Sequence, residues 1–261
     1  MAELTYASYL HLDELLKLQK ARSTPAEHDE LLFIVVHQST ELWLKELLHE
    51  LDKVKTDFSA GLVAAATATL TRARRILRVL VQQLDVLETM TPLSFSLFRH
   101  RLEHASGFQS MQFRELEFVL GIKRPGSLDH YPPDLAGVEG ARRRLTERSV
   151  VDHLYLLLQR KGVDVPRELL ARDLTQSTEA NRTVQDGILM LYISDGEMRV
   201  LFELMTDVDE GLQEWRYRHV KMVERTIGNK EGTGGSLGVE FLKATLFVQA
   251  FPDLWAIRHR L

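Results

Sequence analysis

Three pairs of residues set four apart carry the chemistry that this sequence offers. His37 follows Phe33 in "LLFIVVHQSTELW", Arg99 follows Phe95 in "SFSLFRH", and His219 follows Trp215 in "WRYRH". At that spacing both members of a pair share one helix face. An imidazole on an apolar face serves as a hydrogen-bonded core residue, as a proton acceptor, or as the single axial ligand of a haem iron. An arginine there either clamps a carboxylate with two parallel hydrogen bonds or lies on the surface. Spacing alone does not choose among these. His100 and His104 also stand four apart, but no HExxH and no third ligand accompanies them, so they give no metal site.

His219 is followed by "IGNKEGTGGSLG". This loop lacks both the GK[ST] ending of a phosphate loop and the GxGxxG spacing, and a helix rather than a strand precedes it. Glycines supplying positive φ at a helix end account for it by themselves. The other reading is a loop whose amides and Thr233 hydroxyl approach a ligand closely. Arg216, Arg218, Lys221 and Arg225 on the preceding helix suit either haem propionates or a solvated face. The absence of cysteine removes disulfides, thiolate metal sites, cysteine nucleophiles and iron–sulfur clusters.

The elements that must position these residues read as helices nearly throughout. Thr24, Pro25 and Glu27 form a capping-box pattern, so a helix is expected from there. Behind it Leu31, Val35 and Leu42, then Leu44, Leu47, Leu51 and Val54, recur at the helical period. Leu70, Leu77, Leu80, Leu84 and Leu87 make a second stripe. Thr91 and Pro92 open a third helix. "KRPGSLDHYPPDLAG" is a loop, with shorter helices after it. The proline-free stretch from Ala180 to Ile227 allows one long helix. Residues 1–261 are read as one all-α domain with a mid-chain excursion. With 44% hydrophobic and 27% charged residues and a net charge of −4, the composition is that of a globular protein with no nucleic-acid surface. The acidic N-terminus and the lack of a long apolar run lead us to expect a cytoplasmic protein.

Taken together, "YLHLDELL", "HDELLFIVVHQSTELWLKELLHEL", "SFSLFRHRL", "ASGFQSMQFRELEF", "WRYRH" and "IGNKEGTGGS" resemble the tryptophan 2,3-dioxygenase family. The resemblance covers most of the chain and is weakest between Gly121 and Glu210. It implies an all-helical homotetramer that binds haem b and L-tryptophan. Such an enzyme inserts both atoms of O₂ across the indole C2–C3 bond, giving N-formylkynurenine. On this resemblance His219 is the axial iron ligand and His37 the distal histidine that accepts the indole N–H. Phe33 and Phe95 wall the indole pocket, and Arg99 clamps the substrate carboxylate. Thr233 bonds the ammonium and carboxylate ends, and Ser106 contacts a haem propionate. Tyr6 and Tyr9 belong to an N-terminal segment, residues 1–20, that reaches a neighbouring subunit's pocket. Two positions depart from the family's usual pattern: His104 replaces a proline and Leu237 a serine. Two alternatives therefore accompany the dioxygenase reading. One is a relative that oxidises a substituted tryptophan, with a single oxygen inserted to give an oxindole. The other is a non-catalytic haem or amino-acid binder, which turnover would distinguish.

Overall fold

The structure, a computed structural model, describes residues 3–228 and 239–261, the side chains of 240 and 241 apart. Thr233 and Leu237 lie outside the described residues. Regular structure among the described residues is helical: α1 (Tyr6–Tyr9), α2 (Leu12–Leu15), α3 (His28–Ala60), α4 (Val63–Leu87), α5 (Pro92–Arg99), α6 (Met111–Leu120), α7 (Val138–Thr146), α8 (Val150–Arg160), α9 (Arg167–Leu170), α10 (Arg182–Ser194), α11 (Gly196–Ile227), α12 (Val239–Lys243) and α13 (Pro252–Ala256). None is long and apolar enough to cross a membrane.

The frame is a three-helix layer in which α4 packs along both α3 and α11. The sequence dictates this. Leu70, Leu77, Leu80, Leu84 and Leu87 are all buried on α4; the first three share a core with Leu44, Leu47, Leu51 and Val54 of α3 and Leu201, Met205, Val208 and Leu212 of α11, while Leu87 packs in a second cluster with Val36, Met90, Phe95 and Phe98. One continuous core runs from Leu44 to Ile257. Its size lets long helices be held by burial rather than by intrinsic propensity. As expected, Thr91 caps α5 by accepting from Ser94 N, with Pro92 in the first turn.

The structure corrects two of these expectations and orients a third. First, α3 starts at His28, not at Pro25. Glu30 is the reason: its buried carboxylate accepts from the backbone N–H groups of Arg22 (2.7 Å) and Ser23 (2.9 Å), while Glu27 N donates to Ser23 Oγ (2.9 Å). The loop before the helix is thus pinned in a non-helical path. Second, Leu31, Val35 and Leu42 form a real stripe, but it faces outward in this chain. Third, the helix from Ala180 to Ile227 is two helices. Asp195 stands between them with extended backbone, and its side chain accepts from Glu197 N and Met198 N to cap α11. Capping by Asp satisfies orphan donors that a continuous helix would not have.

Candidate active site

A cavity of about 770 Å³ opens between α3, α5, α6 and α11. Phe33, His37, Phe95, Arg99, Ser106 and His219 all line it. Helix α3 sends in Phe33 and His37 from successive turns, with their rings 4.0 Å apart. Helix α5 sends in Phe95 and Arg99 in the same way. Phe33 also meets Phe95 (5.7 Å) and Phe98 (5.6 Å, edge-on), and Phe95 meets Phe98 edge-on at 5.4 Å. Such offset and edge-on contacts stiffen an aromatic wall beyond what burial gives. Beyond α5 the chain turns sharply at Glu103, which takes φ 50 and ψ −112. That region disfavours any side chain. It delivers Ser106, whose hydroxyl caps the next turn by accepting from Phe108 N at 3.3 Å.

The imidazole of His37 has a defined tautomer. Its Nδ1 lies 2.7 Å from the carbonyl oxygen of Phe33. A carbonyl only accepts, so Nδ1 carries the proton and Nε2 is left as an acceptor in the cavity. Burial holds the His37 pKa below the usual histidine value, opposed by the Phe33 carbonyl and by Glu41 one turn on. His219 is pushed further, to about 4, by burial and then by the positive charge that His37 would carry. Both rings are therefore neutral near pH 7. A neutral imidazole is the form that binds a metal or accepts a hydrogen bond.

On the α11 side, Trp215 stacks on His219 with ring centroids 4.9 Å apart and an interplanar angle of 6°. Trp215 in turn rests on Phe113 of α6 at 4.7 Å. Beside this stack, Arg216 Nη2 donates to Glu117 Oε1 at 2.6 Å, and Arg114 Nη1 donates to the other oxygen of Glu117. Arg216 also donates to the carbonyls of Thr245 and Val248, both at 3.2 Å. Arg218 is turned away to Asp85 and Glu88, and Lys221 to Glu224. Helix α11 ends at Gly228 with φ 60, so the first glycine of the loop is a helix terminator.

The arrangement brings the three i, i+4 pairs together around one space. Tyr6 and Tyr9 do not line it and are exposed. Sequence reasoning missed Arg114, Glu117 and Phe113. The signal was present as "FRELEF", in which Phe113 and Glu117 stand four apart, but nothing local says what they face.

The fold and the cavity define a helical pocket protein that presents two neutral imidazoles, an aromatic wall and guanidinium groups to one ligand space. A family model described as tryptophan 2,3-dioxygenase matches residues 1–131 and 184–261. The tryptophan 2,3-dioxygenase of Herpetosiphon aurantiacus is 52% identical over 255 residues, covering 98% of this chain and 97% of the relative. That of Anaeromyxobacter dehalogenans is 51% identical over 259 residues, covering 98% and 96%. That of Rhodococcus jostii is 43% identical over 258 residues, covering 98% and 91%. The chain belongs to the tryptophan 2,3-dioxygenase family.

Proposed function

We propose that the cavity holds haem b through His219 and positions L-tryptophan beside it for oxidation by O₂. The enzyme is a tryptophan 2,3-dioxygenase, an oxidoreductase. The residues present fit a haem. Its face is apolar, as are Leu84, Leu87, Met90, Val220 and Met222 in the cavity lining; its iron takes a neutral imidazole; and its acid side chains suit the guanidinium groups of that lining. When bound, the haem supplies the activation of O₂.

The protein's own part is positioning. His37 offers Nε2 to the indole N–H, because its Nδ1–H already donates to the Phe33 carbonyl. Phe33 and Phe95 hold the indole plane. Arg99 holds the substrate carboxylate, and Thr233 takes part in holding its charged end. Fixing an amino acid at two ends makes the indole C2–C3 bond meet oxygen in one orientation. Buried polar groups left unpaired by an analogue give discrimination. Ser106 is assigned to a haem propionate.

The subunits assemble as a homotetramer in which residues 1–20 enter a neighbour's pocket. The exposure of Tyr6 (77%) and Tyr9 (68%), and of Leu31, Val35 and Leu42 along α3, supports that reading. Exposed apolar area of this extent marks an interaction surface.

The observation that carries the proposal is the fixed His37 tautomer facing the same cavity as the neutral His219. The test is reaction of the reduced, haem-loaded protein with L-tryptophan and ¹⁸O₂, followed by mass spectrometry. Two labelled oxygens in one product are expected. A single label would overturn the dioxygenase reading in favour of an oxindole-forming one.

A further inference from the structure

Helix α3 is held unevenly along its length. Over 44–60 it is fixed by Leu44, Leu47, Leu51, Val54 and Phe58 in the main core. Over 28–43 only Glu30 and Val36 are buried, and Val36 belongs to the small cluster with Phe95 and Phe98. Leu31 and Val35 face outward and add nothing within the chain. Side-chain ties from α4 and α6 begin only at Ser39: Gln83 Nε2 donates to Ser39 Oγ (3.0 Å), Thr40 Oγ1 to Gln83 Oε1 (3.1 Å) and Gln112 Nε2 to the Glu41 carbonyl (2.9 Å). Yet the poorly buried half is the one that carries Phe33 and His37. A helix end with so little burial opens readily.

The segment before the helix supplies what burial does not. Glu30 is 2% exposed. Its carboxylate accepts from Arg22 N, Ser23 N and the Ser23 hydroxyl, and that hydroxyl accepts in turn from Glu27 N. Further along α3, Gln38 Nε2 donates to the Leu18 carbonyl (3.2 Å), and Gln38 Oε1 accepts from Gln19 Nε2 (2.6 Å). Glu30 and Gln38 are separated by roughly 12 Å of helix. Their partners, Arg22–Ser23 and Leu18–Gln19, are separated by roughly 13 Å of extended chain. The two lengths match, and residues 18–23 have no regular structure of their own. They form a strap that runs antiparallel to α3 across the turns bearing Phe33 and His37.

We infer that Glu30, with Gln38 as a second fastening, is a positioning residue: through the strap it holds the first turns of α3, so that Phe33 and His37 keep their places against the substrate. This rests on the proposed roles of Phe33 and His37. Neither Glu30 nor Gln38 lines the cavity, so both act through the turns between them. Those turns include the Phe33 carbonyl that fixes the His37 tautomer. Opening them moves the ring and releases the proton placement together.

Hydrogen–deuterium exchange of the haem-loaded protein, read peptide by peptide, and steady-state kinetics on the same samples test this. Glu30→Gln keeps the side chain's shape but sets an amide donor against the strap's own donors. It should speed exchange over 28–38 by about 10- to 100-fold, the worth of one hydrogen bond to a charged group. Exchange over 44–60 and the Soret band should stay as in the wild type, while kcat/KM for L-tryptophan falls by about 10- to 100-fold as the site loses its alignment. Glu30→Asp retains the charge and should recover part of both losses. Gln38→Ala removes only neutral bonds and should give the same local pattern in smaller measure; it also serves if Glu30→Gln does not fold. Unchanged exchange over 28–38, or an equal rise over the whole of α3, overturns the strap. Faster exchange there with unchanged kcat/KM overturns the positioning role. His37→Ala is the separate control: full turnover in that variant would sink the proposed site, whatever Glu30 does to the helix.

Discussion

The carboxylate of Asp209 should be worth about 3–5 kcal/mol to this fold. It is fully buried on α11, and four donors converge on it: Ala250 N (2.9 Å), Phe251 N (3.1 Å), Trp255 Nε1 (2.9 Å) and Gln213 Nε2 (3.1 Å). No lysine or arginine pairs with it among the described residues. Asp209→Ala leaves three donors of the C-terminal segment without an acceptor, each costing ~1–3 kcal/mol when buried. Relief of the buried carboxylate's own desolvation offsets part of that sum, and what remains matches the ~3–5 kcal/mol seen when one side of a buried charged contact is removed. At ~2–4 °C per kcal/mol for a chain of this size, Tm should fall by roughly 6–20 °C. Trp255→Phe removes one donor and leaves the acceptor satisfied by the others, so it should cost only ~1.5–3 kcal/mol. Urea unfolding of the haem-free protein at fixed concentration, followed by far-UV circular dichroism, measures both. A loss below ~1 kcal/mol for Asp209→Ala, or equal losses for the two variants, would refute this account of how the C-terminal segment is held to α11.

Three further predictions concern the site and its pH dependence. His219→Ala should abolish haem retention, whereas His37→Ala should keep haem and lose turnover; Soret absorbance and product formation check each, and haem loss from the His37 variant would reverse the two assignments. Arg99→Ala should lower kcat/KM for L-tryptophan by about 10- to 150-fold if one charged hydrogen bond to the carboxylate is lost, and unchanged kinetics would take Arg99 out of the site. Burial pushes the buried Lys123 amine down to about 8 from its ordinary 10.5, with nearby Asp152 opposing, while Nζ donates to the Glu147 carbonyl. Between those values the unfolded chain holds a proton that the folded one has released, so stability should rise with pH from about 8 to about 10; Lys123→Met should flatten that slope, and an equal slope in the variant would show that Lys123 is not its source.

What the sequence made legible was local. The pairs Phe33–His37, Phe95–Arg99 and Trp215–His219 each lie within one turn of one helix, so spacing alone put them on shared faces. The cap at Thr91 and the stripe of α4 were legible for the same reason. Convergence of the three pairs on one cavity is a long-range fact, set by how α3, α5 and α11 pack, and no periodicity encodes it. The stripe of Leu31, Val35 and Leu42 shows the limit most clearly. Period 3.6 says that these residues share a face, but not whether that face meets this chain's core or something outside it. Glu30 and Asp195 show another limit. Each stops or starts a helix through a side-chain acceptor, and each sits where propensity alone would let the helix run on. The Glu117–Arg216 pair joins residues far apart in sequence, and no local pattern announces it. The site's chemistry was written in residue types at fixed spacing. Its electrostatics, including the depressed pKa of His219, arises from burial and exists only in the folded chain.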